Sequence, residues 1–450
     1  MSTGTTGIGM ADAGAAHLGW LRIVRLGLVQ AALGSVVVLI TSTLNRVMVV
    51  EYALPAMLPG ILVALHYAVQ LVRPRFGHGS DRGGRCTPWI LGGMASLSTG
   101  GVLCAFAAVM IARFPIAGLA LAILAYAMVG MGVGAAGTSL LVLLAKRVDD
   151  RRRAAAATIM WVLMIVGFAV TSTAVGHFLD PFSPSRLILV IAIAAATAFM
   201  IAAAAVYGVE NAGGASMARK ASPQNASFKA ALRRAWAEPQ ARRFTLFVFT
   251  SMLAYSAQEL LLEPFAGLVY GYSLGESAGL SGLWHSAVLA GLIAVGIACS
   301  GPRRFGSLRA WTIGGCVASA FALLSLACAD VLGPHWPLKI SVVALGLSNG
   351  VFAVAAIGSM MELAHRGEEG SAGVRMGLWG AAQAVAFALG GFIGTLMVDS
   401  IRYFFGSPVA AFGLVFGAEA ALFLVAAGIA GQLDSREPRG ALTKVTAHAV

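Results

Sequence analysis

Residues 77–85 read Gly77-His78-Gly79-Ser80-Asp81-Arg82-Gly83-Gly84-Arg85, a polar, basic run of the form G-x-x-S-D-R-x-G-R between two apolar stretches, 53–72 and 88–112. Each stretch is long enough for a membrane-crossing helix, which takes about 20 apolar residues. The run therefore reads as a tight loop joining two spans, with glycines to make the turn. Asp81, set beside a helix amino terminus or a neighbouring arginine, would latch that end of the bundle shut. Arg82 and Arg85 would hold the loop on the cytoplasmic side and pair with acids or helix carbonyl ends. Gly77, Asp81, Arg82, Gly84 and Arg85 are thus expected to gate and not to select a substrate. A second copy, from Gly301 to Arg309, carries Arg303 where the first has Asp81, so a weaker second latch is expected.

Outward from this loop the chain repeats the same pattern. Of its 450 residues 58% are hydrophobic and only 11% charged, with mean hydropathy +0.83, against about 25% charged in a soluble domain. That balance requires a polytopic membrane protein, and the lack of strand-type alternation argues against a β-barrel. Twelve spans are expected, at 27–49, 53–72, 88–112, 116–145, 154–178, 184–208, 244–267, 279–299, 310–332, 338–363, 372–398 and 409–433. The polar stretch 209–243 splits them into six-helix halves, 27–208 and 244–433, flanked by a segment 1–26 and a tail 434–450. No cleavable signal peptide is expected, because the first residues are small and polar with no basic region before a short apolar stretch.

The net charge of +12 would suggest nucleic acid in a soluble protein, but here it is a topology signal. Of the 31 Lys and Arg, all but Arg46, Arg113, Arg186, Lys339 and Arg402 fall in loops and tails on one side if the amino terminus is cytoplasmic. Both termini are therefore expected in the cytoplasm. Phe228–Trp236 could form an amphipathic helix on that face. The five cysteines are scattered, with no metal-type spacing. The halves also echo each other. His66 recurs as His285 and Asp180 as Asp399 at an offset of 219, and Gly84, Trp89, Gly92 and Gly93 recur as Gly306, Trp311, Gly314 and Gly315 at 222. This is the pattern of an internal two-fold repeat.

Ionisable groups inside spans are costly and tend to mark function. In span seven, Gln258-Glu259-Leu260-Leu261-Leu262-Glu263-Pro264 sets two carboxylates at i and i+4 on one face. Span one ends in Asn45-Arg46, with Glu51 following, so Arg46 is expected near Glu259 or Glu263 across the seam between halves. A structural ion pair, a headgroup contact and a proton-coupling site all fit that placement. Glu362, near the cytoplasmic end of span ten, reads as a capped or paired carboxylate. A lone intramembrane histidine usually bonds a neighbouring helix. His66 and His285, at equivalent points of the repeat, also fit axial ligands of a metal in a flat macrocycle.

The loop at 77–85 resembles that between the second and third spans of the major facilitator superfamily, which implies an all-α fold of twelve helices in two pseudo-symmetric halves. The strings Thr41–Glu51, Arg73–Asp81, Gln258–Gly267 and Gly377–Ala384 resemble the PucC/LhaA family, also called the bacteriochlorophyll delivery family, over most of the chain. The resemblance implies a role in photosynthetic bacteria: handing bacteriochlorophyll, or a late precursor, to light-harvesting antenna polypeptides in the inner membrane, with pigment-biosynthesis enzymes as further partners. On that reading the pigment is the bound ligand, His66 and His285 are candidate magnesium ligands, and Asn45, Arg46, Gln258, Glu259 and Glu263 form a polar site. Two alternatives stay open. One is a proton-coupled transporter of a small amphipathic solute, with Glu259 and Glu263 titrating; against it, the first six spans hold no central acid. The other is a pigment-free scaffold docking partners through 228–236. An enzyme fits least, since no nucleotide loop, nucleophile constellation or metal cluster is visible.

Overall fold

With no water in the hydrocarbon to bond exposed peptide groups, a chain this apolar has helices as its solution. A computed structural model describes residues 18–72, 85–148, 150–210, 233, 236–300, 305–328, 336–365 and 372–433. Among these residues the chain is all-helical, with twelve long elements. They are α1 (Trp20–Glu51), α2 (Met57–Val72), α3 (Thr87–Ile111), α4 (Pro115–Arg147), α5 (Asp150–Leu179), α6 (Pro184–Val206), α7 (Pro239–Tyr270), α8 (Leu274–Ser300), α9 (Leu308–Ala327), α10 (Leu338–His365), α11 (Ala372–Phe405) and α12 (Pro408–Gly431). Eleven are long and apolar enough to cross a membrane; α2 is the shorter one. It starts at Met57 and not at 53 because Ala53 takes a left-handed backbone (φ 51°) and Pro55 follows, both unfavourable to a continuing helix. α7 starts five residues earlier than expected, where Pro239 occupies the first turn. It ends at Gly271, left-handed at φ 68°, so α8 begins only three residues later.

α1–α6 enclose one core and α7–α12 a second. The first is packed through small residues: a Cβ on Gly93 would stand 2.5 Å from the Ala136 nitrogen, and one on Gly132 2.6 Å from the Gly93 oxygen. α3 and α4 therefore touch backbone to backbone. The second is filled with rings, Phe265 meeting Phe412 and Phe416 at 5.4 and 5.1 Å, and Phe244 meeting Trp379 at 4.8 Å. The halves join where α1 meets α7, α5 meets α8 and α2 meets α11.

On the face away from the start of α1, the two repeat-related aspartates close two of these seams. Asp180, just past α5, accepts from the Gly275 backbone at 3.0 Å and the Ser273 hydroxyl at 2.5 Å, at the start of α8. Asp399, late in α11, accepts from the Ala56 and Met57 backbones at 3.0 and 2.7 Å, at the start of α2. Each carboxylate thus caps the positive amino-terminal end of a helix in the other half. Beside the second cap the helices are nearly in contact, since a Cβ on Gly60 would lie 2.0 Å from Thr395 Oγ1. On the opposite face Glu210, beyond α6, accepts from the Cys86 and Thr87 backbones at 2.7 and 3.1 Å and so caps α3. Burial pushes the Glu210 carboxyl up, but bonds from the Thr87 side chain and the two backbone groups, with Arg85 nearby, outweigh it and hold it below the usual glutamate range.

A depressed carboxylate adds stability above its unfolded-state pKa and loses it as pH falls through the lowered folded value. The difference in melting temperature between the native chain and Glu210→Gln should therefore shrink as detergent solutions are acidified from about pH 6 to about pH 3. Gly60→Val should cost about 1–3 kcal/mol by overpacking. Adding Thr395→Ala should recover much of that loss, read as the melting temperature of single and double variants.

Candidate functional site

Pro264 sits inside α7 and has no N–H to give, so the Leu260 carbonyl one turn earlier loses its helical partner. Left bare in the bilayer interior, that oxygen would cost several kcal/mol. The Asn45 side-chain amide, on α1, donates to it. This bond fixes the height of α1 against α7, and the polar side chains around it fall into register. Thr41, one turn before Asn45, donates to Glu259 Oε1 at 2.7 Å. Ser42 donates to Glu263 Oε1 at 2.6 Å, and its oxygen lies 2.9 Å from the Ser281 hydroxyl on α8. Three helices from both halves thus meet at Ser42.

The run is carried on an unusual stretch of α1. Leu39–Thr43 and Val47–Glu51 are π-helical turns on either side of Leu44–Arg46. Such turns often mark functional sites. Arg46 is only 2% exposed. Its guanidinium pairs with Glu51 at 2.5 Å and donates to the Tyr272 carbonyl at 2.7 Å and the Ser277 hydroxyl at 3.1 Å. Arg46 crosses between halves and its charge acts on Glu263, as the expected nearness requires, while its hydrogen bonds go to the first turn of α8 and the loop before it. Glu259 and Glu263 are bonded by hydroxyls instead. The two carboxylates do share a face, as their spacing predicts.

Gln258 does not join them. Its Oε1 accepts from Asn349 Nδ2 on α10 at 2.8 Å, and Asn349 Oδ1 accepts from Ser319 on α9 at 2.9 Å. Neighbouring helix residues point about 100° apart, so Gln258 faces into the second half while Glu259 faces the seam.

The two histidines are both buried but differently held. The Gln70 amide nitrogen lies 2.9 Å from His66 Nε2, so the amide donates to that ring nitrogen. His285 Nδ1 lies 2.8 Å from the Ser281 carbonyl. A carbonyl only accepts, so Nδ1 carries the proton and the Nε2 lone pair is left outward, the tautomer that ligates metals. Its ring packs on Phe168 of α5 and on Trp284, at 5.0 and 4.8 Å. The structure does not bring His66 and His285 together: α2 packs on α4 and α11, α8 on α5 and α10. Among the described residues no three His, Cys, Asp or Glu are grouped to hold a metal.

Gly77, Asp81, Arg82 and Gly84 lie outside the described residues, as do most of 228–236 and the Glu362 side chain. Arg85 stands close enough to Glu210 to stabilise its charge. One acid escaped sequence reasoning: Glu419, 3% exposed at the middle of α12. The signal was present, a single carboxylate in an otherwise apolar span.

The family model described as PUCC protein matches residues 43–437. The bacteriochlorophyll synthase 44.5 kDa chain of Rhodobacter capsulatus is 52% identical over 416 residues, 92% of this chain and 95% of the relative. Protein PucC of the same species is 27% identical, over 95% of each chain. Among solved structures, a bacterial homolog of the human lysosomal transporter Spinster, inward-facing and unoccupied, aligns with TM-score 0.69 at 16% identity over 91% of this chain and 95% of its own. The peptide transporter POT in complex with sulfate aligns with TM-score 0.67 at 14% identity, over 94% and 97%. These structural likenesses establish the transporter-type fold.

Removing the Arg46 side chain leaves the solvent-reached Glu51 and two α8-side acceptors without their donor, so Arg46→Ala should destabilise by about 1–3 kcal/mol. Asn45→Leu, which bares the Leu260 carbonyl, should cost about 1–3 kcal/mol. Thermal unfolding in detergent checks both. Gln258→Leu should lower stability too, but it should leave unchanged any cysteine cross-linking engineered across the α1–α7 seam.

Proposed function

The chain belongs to the PUCC protein family, and from that membership we propose that it carries bacteriochlorophyll, or a late precursor, to antenna polypeptides as light-harvesting complexes assemble. The match across residues 43–437 is the observation that carries this reading. A role in photosynthetic-complex assembly follows from the family at the coarser level, and the 52% identical relative is named for bacteriochlorophyll synthesis. The fold shared with transporters favours handling a pigment over making one. In this proposal the protein sits in the inner membrane with both termini cytoplasmic, and the aspartate-capped face looks outward. Antenna polypeptides and pigment-biosynthesis enzymes are its partners.

The pigment is cargo, and the residues suited to it are unequal. His285 is already in the ligating tautomer, its Nδ1 proton held by the Ser281 carbonyl. It lies behind Phe168, so α5 and α8 must part for a macrocycle to reach it. His66 becomes available only if Gln70 turns away from its ring. The hydroxyl-held Glu259 and Glu263 supply a polar edge between the halves. A second reading, proton-coupled transport of a small amphipathic solute, draws on the same pair, because carboxyls hydrogen-bonded by neutral hydroxyls, Glu259 by Thr41 and Glu263 by Ser42, are suited to exchanging protons.

The protein purified in mild detergent from a photosynthetic host should carry extractable bacteriochlorophyll or precursor in fixed stoichiometry, seen in its absorption spectrum and by chromatography. His285→Ala should lose most of it, and His66→Ala less. Pigment no higher than in an unrelated membrane protein prepared alongside would refute pigment handling. Uptake that needs a pH gradient and fails in Glu259→Gln would instead support the transporter.

A further inference from the structure

Glu419 lies apart from the α1–α7 seam and from everything used above. Neither carboxyl oxygen has a hydrogen-bond partner among the described residues, although the side chain is only 3% exposed. Buried polar groups are almost always bonded, and an orphan points to a missing partner. Beside it is a cavity of about 50 Å³ between α7, α11 and α12, walled by Leu253, Ala257, Gly390, Gly394 and Ile393, with Glu419 as its only charged or polar side chain.

Three physical limits define what fits. The first is size: holding a water takes about 10–15 Å³ of such space, so the cavity takes a small head group and its first carbons but no macrocycle. The second is polarity. A buried water needs two to four polar partners and a cation such as Ca²⁺ six to eight oxygens, whereas this lining offers one carboxyl. The third is depth. Glu419 is near the midpoint of Pro408–Gly431, roughly 17 Å from either end at 1.5 Å per residue, beyond the reach of charged lipid headgroups. The cavity opens at the surface of the helix bundle, for Ile393 at its rim is 41% exposed.

We propose that this cavity binds the hydroxyl end of a lipid-soluble alcohol, which enters from the bilayer between α11 and α12 and leaves its chain along that groove. The hydroxyl and the Glu419 carboxyl satisfy each other, and the apolar walls hold the first carbons.

The test places the full-length protein in lipid nanodiscs with a photoactivatable, diazirine-bearing long-chain primary alcohol, or with its methyl ether. Cross-linked peptides are then quantified by mass spectrometry. The alcohol should label 390–397 and 415–422 about fivefold more than the ether, the equivalent of one net hydrogen bond. Glu419→Leu should erase that preference. Glu419→Gln, which keeps the shape and a hydrogen-bonding head, should retain it and shows that the groove still folds. Equal labelling by alcohol and ether, no labelling in this region, or an undiminished preference in Glu419→Leu would each overturn the proposal.

Discussion

A missing hydrogen bond organises the centre of this molecule. Pro264 cannot donate to the Leu260 carbonyl, and in hydrocarbon that oxygen must be satisfied from another helix. Asn45 does so from the opposite half. Because side chains on a helix are fixed relative to one another, placing Asn45 also places Thr41, Ser42 and Arg46. Two carboxyls of α7 then meet hydroxyls, and the guanidinium meets α8. A proline in one half and an asparagine in the other thus set how the six-helix units dock.

The remaining joints follow a different chemistry. Asp180 and Asp399 use the positive ends of helices, which depends on backbone geometry more than on the partner's side chains. The central seam is therefore side-chain specific and the flanking ones are generic. The two halves also differ internally. Glycines bring backbones together in both, as at Gly93 against Ala136 and at Gly315 against Phe352, but the second half adds a cluster of aromatic rings.

Much of this was legible in sequence. Apolar spans, charge bias and the 77–85 loop suffice for twelve helices, because hydrophobic length and basic loops follow directly from membrane physics. The carboxylates at i and i+4 also landed on one face. What could not be read was direction and partner. Gln258 adjoins Glu259 in sequence but points into another bundle. Arg46 has acids on several sides, and choosing Glu51 depends on where the first turn of α8 lies. The span starts at 57, 239 and 274 turn on single residues near the ends, Pro55, Pro239 and Gly271, which a hydropathy count averages away. Glu419 stands alone in an apolar span, with Val415 and Phe423 one turn to either side, so no spacing pattern marks it.

The histidine pair shows how a doubled chain departs from symmetry. The aspartate caps do the same work in both copies, yet Gln70 bonds His66 and has no counterpart at Leu289, the position equivalent by the repeat offset. One imidazole offers a lone pair and the other is engaged. A flat guest held between such halves would be grasped from one side only.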